Sequence, residues 1–532
     1  MTGIISAFPR RACGLLCHLT SLPGRWGIGD LGPEADRFLD YLAAAGQQAW
    51  QILPLGPTRV IHDHSPYMSP SAFAGNPLLI SPDRLVERGQ LEPSDLPPDP
   101  DFYPYLVRFA EVSETKEKIL EKAFTRFAAG RGPDSPEDLE SFRRQSPWLR
   151  DYAVFESLHE KFAGQPWYDW PSKLARHDSG ALSRIIPELA ERIRYHEFVQ
   201  FLFHEQWQAL RRRAAGRGIR LIGDLPIYVA LDSADVWARQ ECFQLDPETL
   251  RPLAVAGVPP DYFSPEGQAW GNPLYRWRDA TGKLNPAVID WWKLRLARIR
   301  KMVDIVRIDH FRGFEAYWEI PATAKSAAGG SWVEGPGREF FLRLAKELED
   351  FPVLAEDLGT ITPAVEKLRD EFGFAGLKVL QFAFDDNPAN PYLPWNFSTS
   401  NCAVYTGTHD NETAVGWYLN PEVPASAKAE LRRAANSDGA AIHRDFIRLA
   451  LLSTARLAII PLQDLLGFGN DCRMNRPGSS AHNWAWRCAP RFLAPEPAEW
   501  LSDLCRFANR SPATAENPED YYAGEKTVKT TN

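Results

Sequence analysis

The run VDIVRIDHFRGF, residues 303–314, places charged side chains in an otherwise apolar segment. In a β-strand alternate side chains share a face, so Arg307 and Asp309 would point one way while Val306 and Ile308 point the other. An arginine two residues before an aspartate favours the ionised carboxylate, and a positioned carboxylate can act as a nucleophile. The pair could equally be a structural ion pair, and this segment alone leaves both interpretations open.

Further acidic side chains end other apolar runs. VLAEDLG contains Glu356, YTGTHDNET contains Asp410, and LIGDLPIYV contains Asp224. Each alone could be a solvated strand end or a helix cap. Several carboxylates at one narrow mouth would repel one another unless a site used their charge. Three converging carboxylates suit glycosidic bond chemistry, with a nucleophile, an acid/base, and a third that grips the sugar or the cationic transition state.

The elements that must position these residues are short apolar runs rich in Val, Ile and Leu, separated by helical patterns. The runs are residues 14–19, 49–55, 219–229, 303–311, 352–358, 377–384, 402–410 and 455–466. Nearly continuous hydrophobic strands that alternate with helices predict a parallel sheet covered on both faces. Eight such strands predict an α/β protein with a closed (β/α)8 TIM barrel, which places its chemistry at the carboxyl ends of the strands.

Uneven gaps between the runs predict insertions into the barrel. Residues 1–55 would hold the first two strands, and residues 56–218 are too many for one barrel helix. We expect that interval to be a mainly helical inserted subdomain with groove loops. Residues 219–500 would complete the barrel, with a loop insertion at 230–283 that is rich in Gly, Pro and aromatic residues. Residues 501–532 are expected to form a frayed C-terminal segment.

Composition narrows the class of protein and its partners. The 532 residues are 44% hydrophobic and 24% charged, a mixture typical of globular proteins, and the net charge of −9 argues against nucleic-acid or anionic-membrane partners. No apolar run approaches the ~20 residues of a membrane span, and the first residues lack the pattern of a signal peptide. Seven cysteines without metal-type spacing indicate a reducing compartment. We expect a cytoplasmic protein that is a monomer or small homo-oligomer.

Two short motifs resemble cofactor or metal sites but lack their context. GIGDLG at 27–32 matches the dinucleotide fingerprint, yet a polar segment separates it from the preceding strand and no acid ends the next one. HDH at 62–64 resembles a metal-binding pair, yet it lies in a loop after the second strand. We therefore expect no nucleotide cofactor and no metal.

Ordered segments spread over residues 12–488 carry a family likeness. They are GLLCHLTSLPG with GIGDLG, SPYMSPSAFAGNPLLI, GDLPIYVALDSADVWA, GVPPDYFSPEGQAWGNPLY, VRIDHFRGF, LAEDLG, TGTHDNET and RMNRPG. Together they resemble the 4-α-glucanotransferases of glycoside hydrolase family 77, also called amylomaltases or disproportionating enzymes, relatives of the α-amylase superfamily. The resemblance implies a TIM barrel and no organic cofactor.

The resemblance also implies roles for individual residues. Asp309 would be the catalytic nucleophile, Glu356 the general acid/base and Asp410 the stabiliser of the transition state. The sugar next to the scissile bond would be bound by Asp224, Arg307 and His409. The donor and acceptor groove would be lined by Tyr67, Gln268, Trp270 and Asn475. Two mobile loops are expected over that groove, at residues 257–270 and 471–480.

The implied reaction moves α-1,4-glucan segments from a donor to the 4-hydroxyl of an acceptor glucan or glucose, through a covalent glucosyl-enzyme with retention. The α-1,4-glucans and maltooligosaccharides would be its ligands. An α-amylase-type hydrolase, an inactive glucan-binding barrel and a metal-dependent barrel hydrolase remain alternatives. One segment, PLGPTRVIHDHSPY at 54–67, departs from the shorter, glycine-containing form that the family leads us to expect.

Overall fold

The computed structural model describes residues 4–98, 101–260, 266–479 and 482–512. Within these residues, twelve β-strands are numbered along the chain. They are β1 (Ala12–Leu16), β2 (Ala49–Gln51), β3 (Arg220–Pro226), β4 (Ala254–Val258), β5 (Gln268–Pro273), β6 (Ile305–Asp309), β7 (Ala316–Pro321), β8 (Ser331–Glu334), β9 (Val353–Ala355), β10 (Gly376–Val379), β11 (Cys402–Tyr405) and β12 (Leu457–Pro461).

Eight of these strands form a parallel barrel. Their order is β10-β11-β12-β1-β2-β3-β6-β9, and every neighbouring pair is parallel. A parallel bridge between Leu354 and Ala375 joins β9 to the residue before β10 and closes the ring. Each strand overlaps one of the eight apolar runs, so the predicted (β/α)8 barrel is confirmed.

The described residues also contain eighteen α-helices. They are α1 (Ile4–Ala7), α2 (Pro33–Ala44), α3 (Pro82–Glu87), α4 (Phe109–Ala128), α5 (Pro136–Gln145), α6 (Leu149–Lys161), α7 (Ser172–Ala175), α8 (Ser179–Ile185), α9 (Ala190–Gly216), α10 (Ala234–Ala238), α11 (Pro286–Met302), α12 (Gly337–Arg343), α13 (Pro363–Glu371), α14 (Ala414–Leu419), α15 (Ala425–Ala435), α16 (Ile442–Leu452), α17 (Leu462–Leu465) and α18 (Pro495–Phe507). Among the described helices, none is both long enough and apolar enough to cross a bilayer.

Local sequence explains these elements. Strands β1 and β12 are buried at every position, as expected for barrel strands covered by helices on one side and the barrel interior on the other. Helix α2 begins with Pro33, has Glu34 and Asp36 in its first turn, and is followed by Gly46 at φ +70°. Proline at the start, acids in the first turn and a left-handed glycine after the end are the usual boundaries of a helix.

Insertions lie on both sides of β3. Helices α3 to α9 occupy the interval between β2 and β3. Strands β4 and β5, within the expected loop insertion 230–283, join β7 and β8 in an antiparallel sheet of order β5-β4-β7-β8. The sequence analysis treated 230–283 as a loop and predicted no strand there or at 316–334. These strands have only four to six residues, and β4 and β5 contain glycine, so their sequence pattern was weak and pairing within the sheet decides their conformation.

The C-terminal boundary expected at residue 501 is wrong. Helix α18 crosses it, with Leu501 and Cys505 fully buried, and packs against α2. Its apolar residues recur at helical spacing, so the helix is amphipathic and covers the barrel despite its polar flanks. The frayed segment therefore does not begin at 501, and the part of the expected tail at 513–532 lies outside the described residues.

Arg510, which follows α18, is hydrogen-bonded to the barrel. The guanidinium of Arg510 is fully buried and donates to the backbone oxygens of Ala12, Leu451, Ser453 and Ala455, at 2.6–3.1 Å. Ala12 begins β1, and the other three oxygens belong to the end of α16 and the turn before β12. A buried guanidinium is tolerated here because backbone carbonyls satisfy its donors.

Candidate active site

Strand β6 carries the first two charged residues of the site. Arg307 and Asp309 share one face, while Val306 and Ile308 are buried on the other face. Parallel pairing with β3 places Arg307 directly opposite Asp224. The alternation read from the sequence therefore brings these charges together at the carboxyl end of the barrel.

Arg307 is shared between two carboxyl groups. Its Nη1 donates to both oxygens of Asp224, at 2.8 and 2.7 Å, and lies 2.9 Å from Oδ1 of Asp309. The side chain of Asp224 has no exposed surface, and that of Arg307 is 4% exposed, whereas that of Asp309 is 25% exposed. Asp309 is thus the most exposed member of this trio, and the carboxylate of Asp224 is enclosed.

Glu356 follows β9 and faces the end of β6. The backbone N–H of His310 donates to its Oε2 at 2.7 Å, and the N–H of Leu358 donates to its Oε1 at 3.0 Å. Burial raises the pKa of Glu356 to about 8, with Asp309 adding to the rise and Arg307 opposing it. Glu356 is therefore protonated at neutral pH while it lies beside a carboxylate paired with arginine.

His310 joins two parts of the site through an unusual backbone conformation. Its φ of 51° lies in the left-handed region, and there its N–H points at Glu356. Burial lowers the pKa of its imidazole to about 4, so the ring is neutral. The ring stands edge-on to Trp270, with ring centres 4.9 Å apart. His310 thereby links the acid/base candidate to the antiparallel sheet.

Asp410 follows β11 and is held by two neighbours. The side-chain amide of Asn475 donates to its Oδ1 at 2.6 Å, and Nε2 of His409 lies 3.2 Å from its Oδ2. Burial alone would raise the pKa of Asp410, but His409 and the amide of Asn475 hold it below its usual range. The side chain is 42% exposed, so this carboxylate is both ionised and open to a ligand.

Tyr67 connects the two groups of carboxylates. Its hydroxyl donates to Oδ2 of Asp224 at 2.8 Å and lies 2.9 Å from Nε2 of His409. Its ring stacks on that of His409, with centres 5.2 Å apart. A continuous set of contacts therefore runs from Asp309 to Asp410 across the mouth of the barrel.

Gln268 and Trp270 reach the site from β5. The indole N–H of Trp270 donates to Oε1 of Gln268 at 3.2 Å, and the Trp270 ring lies 6.3 Å from that of Tyr228. Their link to the carboxylates is the ring of His310. All ten residues singled out in the sequence thus lie in one connected region. Parts of the two expected mobile loops, residues 261–265 and 480, lie outside the described residues.

Two further residues of the site were not predicted. Arg473 donates to the backbone oxygen of Asp410 at 2.5 Å and to that of Asn475 at 2.7 Å. Trp484 packs against the rings of Tyr67 and His409, at 5.6 and 6.0 Å. The position of Arg473 two residues before Asn475 was a usable signal. Trp484 offered no such signal, because it is one of 18 tryptophans in the sequence.

The two motifs set aside in the sequence have structural roles. Asp30 of GIGDLG forms a buried ion pair with Lys116, at 2.6 Å. His64 of HDH stacks on Phe109, with ring centres 4.0 Å apart. Across the described ranges, no group of three or more His, Cys, Asp or Glu is arranged to hold a metal ion.

Comparison with known proteins agrees with this geometry. A family model described as 4-alpha-glucanotransferase, glycoside hydrolase family 77, matches residues 17–493. The chain is 48% identical to a 4-alpha-glucanotransferase of Synechocystis sp., covering 94% of this chain and 97% of that protein. It is 47% identical to the 4-alpha-glucanotransferase of Thermus thermophilus, covering 94% and 99%.

A solved structure gives the same result. The amylomaltase from Streptococcus agalactiae in complex with acarbose has a TM-score of 0.89 to this chain at 37% identity, covering 94% of this chain and all of that one. The region matched by the family model, residues 17–493, includes seven of the eight barrel strands, all but β1, and every residue of the site. The chain therefore belongs to the 4-alpha-glucanotransferase family, glycoside hydrolase family 77.

Proposed function

We propose that this chain is a retaining 4-α-glucanotransferase in which Asp309 is the nucleophile, Glu356 the general acid/base and Asp410 the stabiliser of the transition state. One observation carries the assignment. A protonated Glu356 and an arginine-paired Asp309 lie side by side at the ends of neighbouring strands. A retaining mechanism requires this combination of one neutral and one ionised carboxyl group.

In the first half of the reaction, Glu356 donates its proton to the 4-oxygen of the leaving glucan. Asp309 attacks C1 of the donor sugar, the glycosidic bond breaks, and a β-linked glucosyl-enzyme forms. The two working carboxyl groups of a retaining enzyme lie roughly 5–5.5 Å apart, which leaves no room for a water between them and the sugar. Arg307 binds Asp309 and so orients the attacking oxygen.

In the second half, Glu356 is ionised and accepts the proton of an incoming 4-hydroxyl. The acceptor oxygen attacks C1, the bond to Asp309 breaks, and the second inversion restores the α linkage. Glu356 ends the cycle protonated, as it began. The two backbone N–H donors to Glu356 stabilise its ionised form during the interval between the steps.

Asp410 would act on the sugar itself. Its exposed, ionised carboxylate can accept hydrogen bonds from sugar hydroxyls, and these strengthen as the ring flattens and gains positive charge. Asn475 and His409 hold that carboxylate in place. We propose that Tyr67, Arg307 and His409 contact the same sugar.

Asp224 would act differently from the other residues of this set. The resemblance implies that it binds the sugar next to the scissile bond, but its carboxylate is enclosed and both its oxygens are bonded to Arg307, with Tyr67 on one of them. We propose that Asp224 holds Arg307 and Tyr67 in position rather than touching the sugar.

Transfer in place of hydrolysis requires that an acceptor sugar outcompete water at the glucosyl-enzyme. Gln268 and Trp270 supply an aromatic and an amide surface beside His310, where an acceptor sugar can stack and bond. A cytoplasmic setting is part of this proposal. It is supported by seven free cysteines, which are typical of a reducing compartment.

The test is the action of the purified protein on maltotriose. We expect glucose and a ladder of longer maltooligosaccharides, with little net increase in reducing ends, because each bond broken is replaced by a bond formed. Asp309→Ala and Glu356→Gln should each abolish the ladder while retaining cooperative unfolding. Glu366→Gln is a matched control, because Glu366 is exposed on α13, and it should behave as wild type.

Two results would contradict the proposal. Full activity in either purified catalytic variant would overturn the residue assignment. A steady rise in reducing ends with the wild-type protein would instead indicate a hydrolase, and glucan binding without turnover would indicate a binding module.

A further inference from the structure

The loop at residues 58–64 departs from the glycine-containing form expected for the family, and its backbone shows the consequence. A 3-10 turn at Val60–His62 is followed by Asp63 at φ 49° and His64 at φ 55°. Both are left-handed, a region that costs free energy for a residue with a Cβ and is usually occupied by glycine. Such strain persists only where the surrounding structure holds it.

The loop is fixed at both ends to the helical insertion. Nη2 of Arg59 donates to both carboxylate oxygens of Glu156 on α6, at 2.8 Å each. The imidazole of His64 stacks on Phe109 at the start of α4, with an interplanar angle of 8°, and its Nδ1 lies 3.1 Å from Oγ1 of Thr58. Asp63 is held between these anchors, so its carboxylate has a defined position.

That carboxylate contacts Asn483, which bonds to residues of the stretch 473–479. Oδ2 of Asp63 accepts a hydrogen bond from the backbone N–H of Asn483 at 3.3 Å. Asn483 in turn organises the segment, because its Oδ1 accepts from the N–H of Arg476 at 2.9 Å and its Nδ2 donates to the oxygen of Ser479 at 2.9 Å. Asp63 thus binds the residue that holds Arg476 and Ser479.

The same segment carries Asn475, the residue that binds Asp410. Asn475 is adjacent to Arg476, and its own N–H donates to the backbone oxygen of His409 at 3.2 Å. A displacement of Asn483 would therefore shift Arg476, and with it the adjacent amide that holds Oδ1 of Asp410. The contacts form one route from the 58–64 loop to a catalytic carboxylate.

We propose that Asp63 is a positioning residue, which holds Asn483, and through it Arg476, in the geometry where Asn475 binds Asp410. This inference rests on the role of Asp410 in the proposed function. Asp63 makes no contact with Asp309, Glu356 or Asp410 themselves. Loss of the Asp63 carboxylate should therefore lower kcat more than it changes KM, because Asp410 acts most strongly in the transition state.

Three variants separate the carboxylate from the backbone strain. Asp63→Gly relieves the left-handed strain but removes the acceptor for Asn483, so it should lower kcat for maltotriose about threefold to tenfold, with KM changed less than twofold. Asp63→Asn keeps an acceptor oxygen and tolerates a left-handed φ, so it should stay within about twofold of wild type. Val60→Ala, an exposed change in the same turn, should match wild type.

A variant of Asn483, the partner of Asp63, tests the same set of contacts. Asn483→Ala removes the bonds to Arg476 and Ser479 and should lower kcat to a similar extent. The double variant Asp63→Gly/Asn483→Ala should be no slower than the slower single variant by more than about twofold, because both changes break one route. If Asp63→Gly does not fold, Asn483→Ala and the retained activity of Asp63→Asn carry the test.

Specific outcomes would overturn the inference. They are unchanged kcat in Asp63→Gly, a loss in Asp63→Asn as large as in Asp63→Gly, or multiplicative losses in the double variant. Failure of the proposed function would give a different result. Asp309→Ala would then retain full turnover of maltotriose, whichever residue stands at position 63.

Discussion

The raised pKa of Glu356 makes a prediction about stability that does not depend on measuring catalysis. The unfolded chain titrates this carboxyl group near 4.5, and the folded protein near 8. Between these values the folded protein holds a proton that the unfolded chain releases. The contribution of Glu356 to stability is therefore fully present below pH 4.5 and is lost as the pH rises through 8.

The size of this effect follows from the two values. The two pKa values differ by about 3.5, and one pKa unit corresponds to about 1.4 kcal/mol. Ionisation of buried Glu356 therefore lowers the unfolding free energy by up to about 5 kcal/mol above pH 8. Most of that loss accrues between pH 4.5 and pH 7. Glutamine at this position does not titrate, so Glu356→Gln should lack this loss.

The assay is urea unfolding of wild type and Glu356→Gln at intervals from pH 5 to pH 8.5. Glutamine keeps one acceptor oxygen for the N–H groups of His310 and Leu358, so the variant also loses one hydrogen bond, at a cost that does not change with pH. The informative quantity is the unfolding free energy of Glu356→Gln minus that of wild type, followed as the pH changes. It should move in favour of the variant by several kcal/mol as the pH rises.

Glu366→Gln provides the baseline, because it makes the same chemical change on an exposed helix position. Its unfolding free energy should run parallel to that of wild type. A difference between Glu356→Gln and wild type that stayed constant within about 1 kcal/mol over this range would refute the reasoning. Glu356 would then titrate normally, and its role as a proton donor at neutral pH would lose its physical basis.

Two further predictions follow from other charged groups. Release of glucose from maltotriose should decline about tenfold per pH unit above about pH 8, because the protonated form of Glu356 becomes scarce; a rate that held level to pH 10 would contradict this. Lys116→Met should lower the unfolding free energy by about 3–5 kcal/mol in urea, since it leaves the buried carboxylate of Asp30 unpaired. Adding Asp30→Asn should recover part of the loss, and no recovery would show that the ion pair is not the cause.

Much of the barrel and its site could be predicted because short-range patterns encode them. Apolar runs marked all eight barrel strands, and alternation placed Arg307 and Asp309 on one face. The contacts of Asp224, by contrast, could not be predicted from a short-range pattern. Whether its carboxylate meets a sugar or an arginine depends on the register of β3 against β6, which only the folded barrel defines.

The features that escaped prediction depend on contacts between distant segments. Strands β4 and β7 pair although β5, α11 and β6 separate them in the sequence, and Trp484 contacts Tyr67 from a distant segment of the chain. Helix α18 was hidden by its polar flanks although its buried face has helical spacing. The left-handed conformation of Asp63 has no sequence signal, because glycine is the residue that usually marks it.

The pairing of β1 with β12, together with Arg510, sets a condition on how the protein is made. Translation produces β1 before all the other barrel strands and β12 after them, so a growing chain on the ribosome carries an unpaired edge of β1 until β12 has been made. Such edges pair readily with strands of other chains. Barrel closure must therefore wait until β12 has been synthesised, whereas the helices between β2 and β3 are made long before that point.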